Sequence, residues 1–284
     1  MIYTASRAAL FIILVLLLAG CMRGLGSTAT DATHQAVTTG PISPEIPSQV
    51  VQATSDTKES SKTAEGYYKT GVASYRKGDY KQAINSFSEA IKSEPDYAPA
   101  FLGRAQAHRQ QRDDQEALND VNQFIALEPN DPDGFYNRGD IYLTMGSYDQ
   151  AIADFDQTIK MKSDYVGAYV DRGLAFEYKG KYADAIVDYD QAIKLNPNVW
   201  QGYYNRGHVY HLQHKWDQAL ADYGQAITLS PNNGLIYYQR GIAHRIVNHK
   251  DEAIADFRKC IELCRNQEMK DKSELYLQVL GVKP

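Results

Sequence analysis

The chain has 284 residues, with 30 Lys+Arg against 35 Asp+Glu, 21 tyrosines and 3 cysteines. This mildly acidic balance excludes the basic footprint that a nucleic-acid binder needs. The length suits one elongated domain with appendages.

Residues 1–20 read as an export signal. Arg7 supplies the positive region, and Ala8 to Ala19 is an unbroken apolar run of twelve residues. Such a run falls short of the ~20 residues that a membrane-spanning helix needs. It ends Leu18-Ala19-Gly20-Cys21, which resembles the box cut by the bacterial lipoprotein signal peptidase. Small side chains at Ala19 and Gly20 let a protease reach the backbone, and the Cys21 thiol then accepts a diacylglyceryl group. An ordinary secretory peptide with a chance cysteine is the alternative. Two or three acyl chains (palmitate among them) on Cys21 would hold a membrane stably, which one chain does not. Met22 stands where some enteric bacteria place the Asp that retains lipoproteins at the inner membrane, which points to the outer membrane where one exists.

Residues 22–63 are rich in Ser, Thr, Ala, Gln, Gly and Pro and contain no aromatic residue. Such a stretch cannot bury enough surface to offset its ordering entropy. As a flexible coil of ~5–6 Å × √n it reaches roughly 35 Å. Together with Cys21 it reads as a tether, 21–63.

From residue 64 a 34-residue period sets in. Steps of 34 from Gly71 land on Ala105, Gly139, Gly173, Gly207 and Gly241, and from Ala83 on Ala117, Ala151, Ala185, Ala219 and Ala253. That period implies stacked helical hairpins, because one unit alone cannot bury its apolar face. Small residues fit where two helices cross closely. The aromatics four before them (Tyr67, Phe101, Phe135, Tyr169, Tyr203 and Tyr237) are expected to fill the gaps they leave. Phe87, Val121, Phe155, Tyr189, Tyr223 and Phe257 lie four past each alanine, one turn along the same face. Pro95, Pro129, Pro197 and Pro231 stop the second helix. Asp96, Asn130, Asp164, Asn198, Asn232 and Asn266 are placed to cap the next one.

In this pattern the chain resembles the tetratricopeptide repeat family. The resemblance covers 64–267 as six repeats: 64–97, 98–131, 132–165, 166–199, 200–233 and 234–267. It implies an all-α fold, a right-handed superhelical solenoid of six hairpins with a capping helix within 268–284. Met269, Tyr276, Val279 and Leu280 make the expected apolar face of that cap, which covers the last hairpin.

Five repeats carry an Arg and an Asp 16 apart: Arg104/Asp120, Arg138/Asp154, Arg172/Asp188, Arg206/Asp222 and Arg240/Asp256. The first repeat has Thr70 and Ser86 instead, so both members are lost together. The expectation is that they meet between the two helices of one repeat, rather than standing as two solubilising positions. Gly78, Gly146, Gly180 and Asn248 mark turns that need a left-handed backbone. The second repeat departs most, with Ala105, Arg112 at its turn, and Asp114 where Tyr or Trp stands elsewhere.

No nucleophile elbow, phosphate-binding glycine loop or paired-histidine zinc motif occurs in the sequence, so neither an enzyme nor a cofactor is expected. His208, His211 and His214 fall three apart, but nothing nearby in sequence completes a metal site, and they read as polar groove residues. Cys260 takes a position held by Ala90, Ala192 and Ala226, with Cys264 one turn on; two thiols, or a strained bond at a fraying helix end, are expected.

In the family the first helices line a concave groove for a peptide or partner helix. The matching positions here include Tyr136, Asn137, Asp140, Leu143, Asp171, Leu174, Tyr204, Asn205, His208, His211, Tyr238 and Gln239. Tyr136, Tyr204 and Tyr238 are expected to be exposed there, the alternative being that they only pack between helices. Family members that grip a chaperone carboxy terminus set Lys, Asn and Arg in fixed places. Asn137 and Asn205 fit one of these, but their neighbours Leu102, Gln106, Gly167, Asp171, Val170, Leu174, Leu235 and Gln239 do not fit the others. The resulting expectation is a lipid-anchored envelope scaffold or adaptor that binds a protein or peptide, on the periplasmic face of an outer membrane where one exists. A pilotin-like assembly factor is the alternative, and an enzyme or metal-binding protein the less favoured one.

Overall fold

The computed structural model describes residues 63–283. The expected export signal 1–20, the Cys21 lipidation site and the tether up to residue 62 lie outside the described residues. Within them the chain forms thirteen helices and no strand.

Six hairpins follow one another: α1 (Ala64–Arg76) with α2 (Tyr80–Ser93), α3 (Ala98–Gln110) with α4 (Asp114–Leu127), α5 (Pro132–Thr144) with α6 (Tyr148–Met161), α7 (Val166–Tyr178) with α8 (Tyr182–Leu195), α9 (Trp200–Leu212) with α10 (Trp216–Leu229), and α11 (Gly234–Ile246) with α12 (Lys250–Leu263). A last helix, α13 (Gln267–Val279), stands where a seventh hairpin would begin and packs on α12 and α11. Each second helix packs on its own first helix and on the next one. In four of the five junctions consecutive first helices also touch closely, and consecutive second helices do not. The stack therefore closes on its first-helix side.

The core lies in the crossings. Phe87, Phe155, Tyr189, Tyr223 and Phe257 on the second helices are all fully buried. A Cβ placed on Gly71 or Gly173 would come within 2.6 Å of the Phe87 or Tyr189 ring. These rings, rather than the aromatics four before the glycine, fill the gaps. Phe101, Phe135, Tyr169, Tyr203 and Tyr237 instead lie under a guanidinium one turn further along, with centroids 5.5–5.8 Å from Arg104, Arg138, Arg172, Arg206 and Arg240. The second repeat obeys the same volume rule with different residues: Ala105 replaces Gly where Val121 replaces the ring.

Helix starts differ from the expectation by one residue. The caps are Tyr97, Asp131, Tyr165, Val199, Asn233 and Asn266, so of the six expected only Asn266 serves, accepting from the Met269 amide at 3.2 Å. The reason is the turn between repeats. Tyr97, Asp131, Tyr165, Val199 and Asn233 donate their amides to the carbonyl three residues back, which delays each helix by one position. Between the helices of a hairpin, Gly78, Gly146, Gly180 and Asn248 have positive φ as expected, and so do Arg112 and His214.

All five Arg/Asp pairs form, each bidentate at 2.6–2.8 Å with the carboxylate nearly buried. The structure adds a third arm. Nη1 of Arg104, Arg138, Arg172 and Arg206 reaches Ser88, Asn122, Asp156 and Asp190 on the preceding second helix at 2.5–3.0 Å. Each arginine thus ties three helices. The position that Arg240 would reach is Gly224, which has no side chain to offer.

The expected cap face is partly wrong. Met269 and Leu277 are buried with Ser273, while Val279 is 68 % exposed. The helical register turns Leu277 inward and Val279 outward.

Gly224→Asp should complete the last arm. A Cβ there has open space, its nearest neighbour being Arg240 Nη1 at 3.9 Å. The gain in unfolding free energy should be about 1 kcal/mol, from helix propensity and a charge-assisted bond. In an Arg240→Ala background roughly half of it should vanish. Equal gains in both backgrounds, measured by urea unfolding, would remove the arm from the account.

Candidate partner-binding face

The face that could hold a partner is built by α3, α5, α7, α9 and α11. Residues on one face of a first helix recur at three and four, so Tyr136, Asn137 and Asp140 share a face on α5, and Tyr204, Asn205, His208 and His211 share one on α9.

The tyrosines expected to be exposed are not. Tyr136, Tyr204 and Tyr238 are 0 %, 2 % and 3 % exposed. Tyr136 packs on Tyr165 and Phe155, Tyr204 on Tyr223 and Trp200, and Tyr238 on Phe257 and Tyr276. Each ring packs on the second-helix ring of its own hairpin, and Tyr136 and Tyr238 also meet Tyr165 and Tyr276 beyond it. Asn137, Asp140, Asp171, Asn205, His208 and Gln239 are buried too, as are Leu143 and Leu174; only His211 among the twelve keeps partial exposure.

What these residues form is a polar seam between successive first helices. Gln106 Nε2 lies 3.4 Å from Asn137 Oδ1, and Asn137 donates to the Asp133 carbonyl at 2.8 Å. Arg109 forms an ion pair with Asp140 at 2.5 Å. The Tyr136 hydroxyl donates to Asp171 at 2.8 Å, and Tyr165 donates to Asp133 at 3.0 Å. Further on, Glu177 accepts from Tyr189 at 3.0 Å and meets His208 Nδ1 at 2.7 Å. Burial pushes the Asp140 carboxyl up, with Arg109 opposing it. Burial and the facing Asp171 carboxylate hold the Tyr136 hydroxyl firmly protonated. Sequence reasoning missed Arg109, Glu177 and Tyr165. Arg109 and Glu177 lie in the last turns of α3 and α7 and Tyr165 caps the start of α7, and their polar partners 31 or 32 residues away are the signal that was available.

Most of the buried side-chain atoms without a hydrogen-bond partner lie in the fifth repeat. Asn205 Nδ2, His211 Nδ1, Gln213 Oε1 and Tyr223 Oη are buried without a partner. His208 and His211 have ring centroids 6.4 Å apart, while His211 and His214 both pack on Trp216 at 5.0 and 5.3 Å. Among the described residues, no group of three or more His, Cys, Asp and Glu is placed to hold a metal.

Burial, with the nearby His208 and His214 charges adding to it, pushes His211 down to about 4. The folded chain therefore keeps His211 neutral where the unfolded chain binds a proton. Its contribution to stability is complete above an unfolded value of about 6.5 and is lost as pH falls toward about 4. The urea midpoint should fall across that window, and His211→Gln should flatten that part of the profile. A parallel profile in the variant would assign the slope elsewhere.

Models of the tetratricopeptide repeat match 68–135, 132–165, 200–233 and 235–267, and a TPR repeat model matches 173–214. These are repeat families, and no catalytic family is among them. No curated protein matches the sequence. Solved structures carry the same fold, among them the three that follow. PilW, a widely conserved type IV pilus biogenesis factor, is 15 % identical with a TM-score of 0.67, covering 74 % of this chain and 97 % of that one. Pseudomonas aeruginosa pilF is 14 % identical with a TM-score of 0.65, covering 77 % and 100 %. A tetratricopeptide repeat protein from Parabacteroides merdae is 23 % identical with a TM-score of 0.63, covering 77 % and 84 %.

Proposed function

We propose that this chain, which belongs to the tetratricopeptide repeat family and so is a scaffold for protein–protein interaction, works as an exported adaptor anchored to a membrane by a lipid on Cys21. The partner is a protein segment held on the first-helix face around α9. One observation carries the placement: the four unpartnered buried polar atoms of the fifth repeat. Buried polar groups are normally paired, and an unpaired one costs about 1–3 kcal/mol. A partner that brings a donor to Gln213, which is partly exposed, and parts the seam enough to bring a carbonyl to Asn205 Nδ2 recovers that cost. Leu212 and Trp216, both partly exposed beside them, supply apolar area.

A second reading is an assembly factor for an envelope fibre such as a pilus. It is favoured by the extent of the fold, since this chain spans nearly all of PilW, a type IV pilus biogenesis factor.

Asn205→Ala tests the face cleanly. Its Nδ2 has no partner within the chain, so the change should leave thermal unfolding within about 0.5 kcal/mol of the parent. Partner capture from native membranes should fall by tenfold or more, about 1.4 kcal/mol. Gln191→Ala with Lys194→Ala, on α8, should bind as the parent does. The reverse pattern would move the partner to the second-helix side.

Anchoring has its own test. Cys21→Ala should accumulate as an unprocessed precursor or a soluble species, whereas Cys260→Ala should fractionate as the parent. Metabolic lipid labelling that persists on the Cys21 variant would sink the lipid-anchor reading.

A further inference from the structure

Three sulfur atoms converge where α12 ends and α13 begins. Cys260 Sγ lies 2.8 Å from Cys264 Sγ, which lies 3.3 Å from Met269 Sδ. All three residues are buried, at 0 %, 8 % and 7 % exposure, and both cysteines are free thiols. The rest of the array shows how unusual this is. The position of Cys264 is Glu94, Glu128, Lys162, Asn196 and Ser230 in the other repeats, a polar helix end each time. Only in the last repeat is it buried, and the backbone of Gly234 clears the space, since a Cβ there would stand 2.5 Å from the Cys264 sulfur.

We propose that Cys260, Cys264 and Met269 form a binding site for a soft monovalent metal ion, Cu(I). Two thiolates and a thioether are the donor set that selects Cu(I) over harder ions. Residues four apart on a helix present both sulfurs to one ion. The Asn266 side chain caps α13 through the Met269 amide at 3.2 Å, which fixes the thioether opposite the pair. Metal–thiolate bonds of about 2.3 Å set sulfurs on one trigonal ion about 4 Å apart, so loading widens the triangle. Cys264 can yield, because its backbone has already left the helix with φ −69° and ψ 133°. Binding replaces the two thiol protons with one Cu(I), releasing two protons and leaving a site of charge −1. A disulfide is the competing fate. Both cysteines are free thiols in the structure, and closing that bond would need a two-electron oxidant that Cu(I) loading does not.

The full chain carrying Cys21→Ser, reduced and handled without oxygen, should be titrated with Cu(I) against a chromogenic bidentate chelator. One Cu(I) should be retained per chain, with both remaining thiols protected from a thiol reagent. Cys260→Ala, the residue found at this position in three other repeats, should fold normally and lose at least about a hundredfold in affinity. Met269→Leu should lose about tenfold. Failure of the parent to hold Cu(I), or equal retention by either variant, overturns the site. So does recovery of the reduced chain from the titration as an intramolecular disulfide.

Discussion

Everything in this array depends on how closely the two helices of a hairpin can cross. A first-helix glycine faces a second-helix ring with no room for even one carbon between them, as Gly71 does against Phe87 and Gly173 against Tyr189. That contact sets the distance between helices, and the distance sets what else can reach across. Each arginine, one residue before the glycine, meets its aspartate, one residue before the ring, only because the backbones are this near. Ala105 with Val121 keeps the spacing by trading volume from one side to the other, and the Arg104 bonds survive intact. The glycine is thus a condition for the ion pair, and the pair holds the glycine's crossing in register.

The period made much of this legible. Six hairpins, the capping helix and the Arg/Asp pairs follow from residues that recur in phase, because every repeat solves one packing problem and so repeats one answer. What recurrence did not reveal is contact between unlike neighbours. The third arm of four of the arginines ends on Ser88, Asn122, Asp156 or Asp190, positions in phase with the repeat that carry three different residue types and so no recurring residue to read. The shift of the caps from Asp96 to Tyr97, and likewise along the chain, comes from a turn that proline favours but whose last residue it does not name.

The candidate face was misjudged for a related reason. Tyr136, Tyr204 and Tyr238 have the character of groove residues, flat and polar at one end. Whether such a ring is open or covered depends on how tightly the first helices close on one another, and that curvature is a property of the stack. The closure turns most of the face into structure: Tyr136 with Asp171, Arg109 with Asp140 and Glu177 with His208 act as rungs between repeats. A seam of this kind leaves little surface for binding. The rungs thin out in the fifth repeat, where buried polar atoms of Asn205, His211, Gln213 and Tyr223 are left unsatisfied and His211 and Gln213 keep partial exposure.

The same logic accounts for the end of the array. An internal repeat must fit a neighbour on each side, and its residues are held to the period by both. The last hairpin has a repeat on one side only, and on the other it meets α13, which follows no period. Relief from that constraint shows where the hairpin meets α13: the polar helix end becomes Cys264, and the first turn of α13 brings in Met269. Loss of constraint alone would predict scattered, unrelated changes. Instead both, together with Cys260, place sulfur on a single point, buried and cleared of side-chain carbon by Gly234. Packing an apolar joint would be served as well by the alanine and leucine used elsewhere in the chain, so the choice of sulfur at all three positions is a matter of chemistry rather than volume.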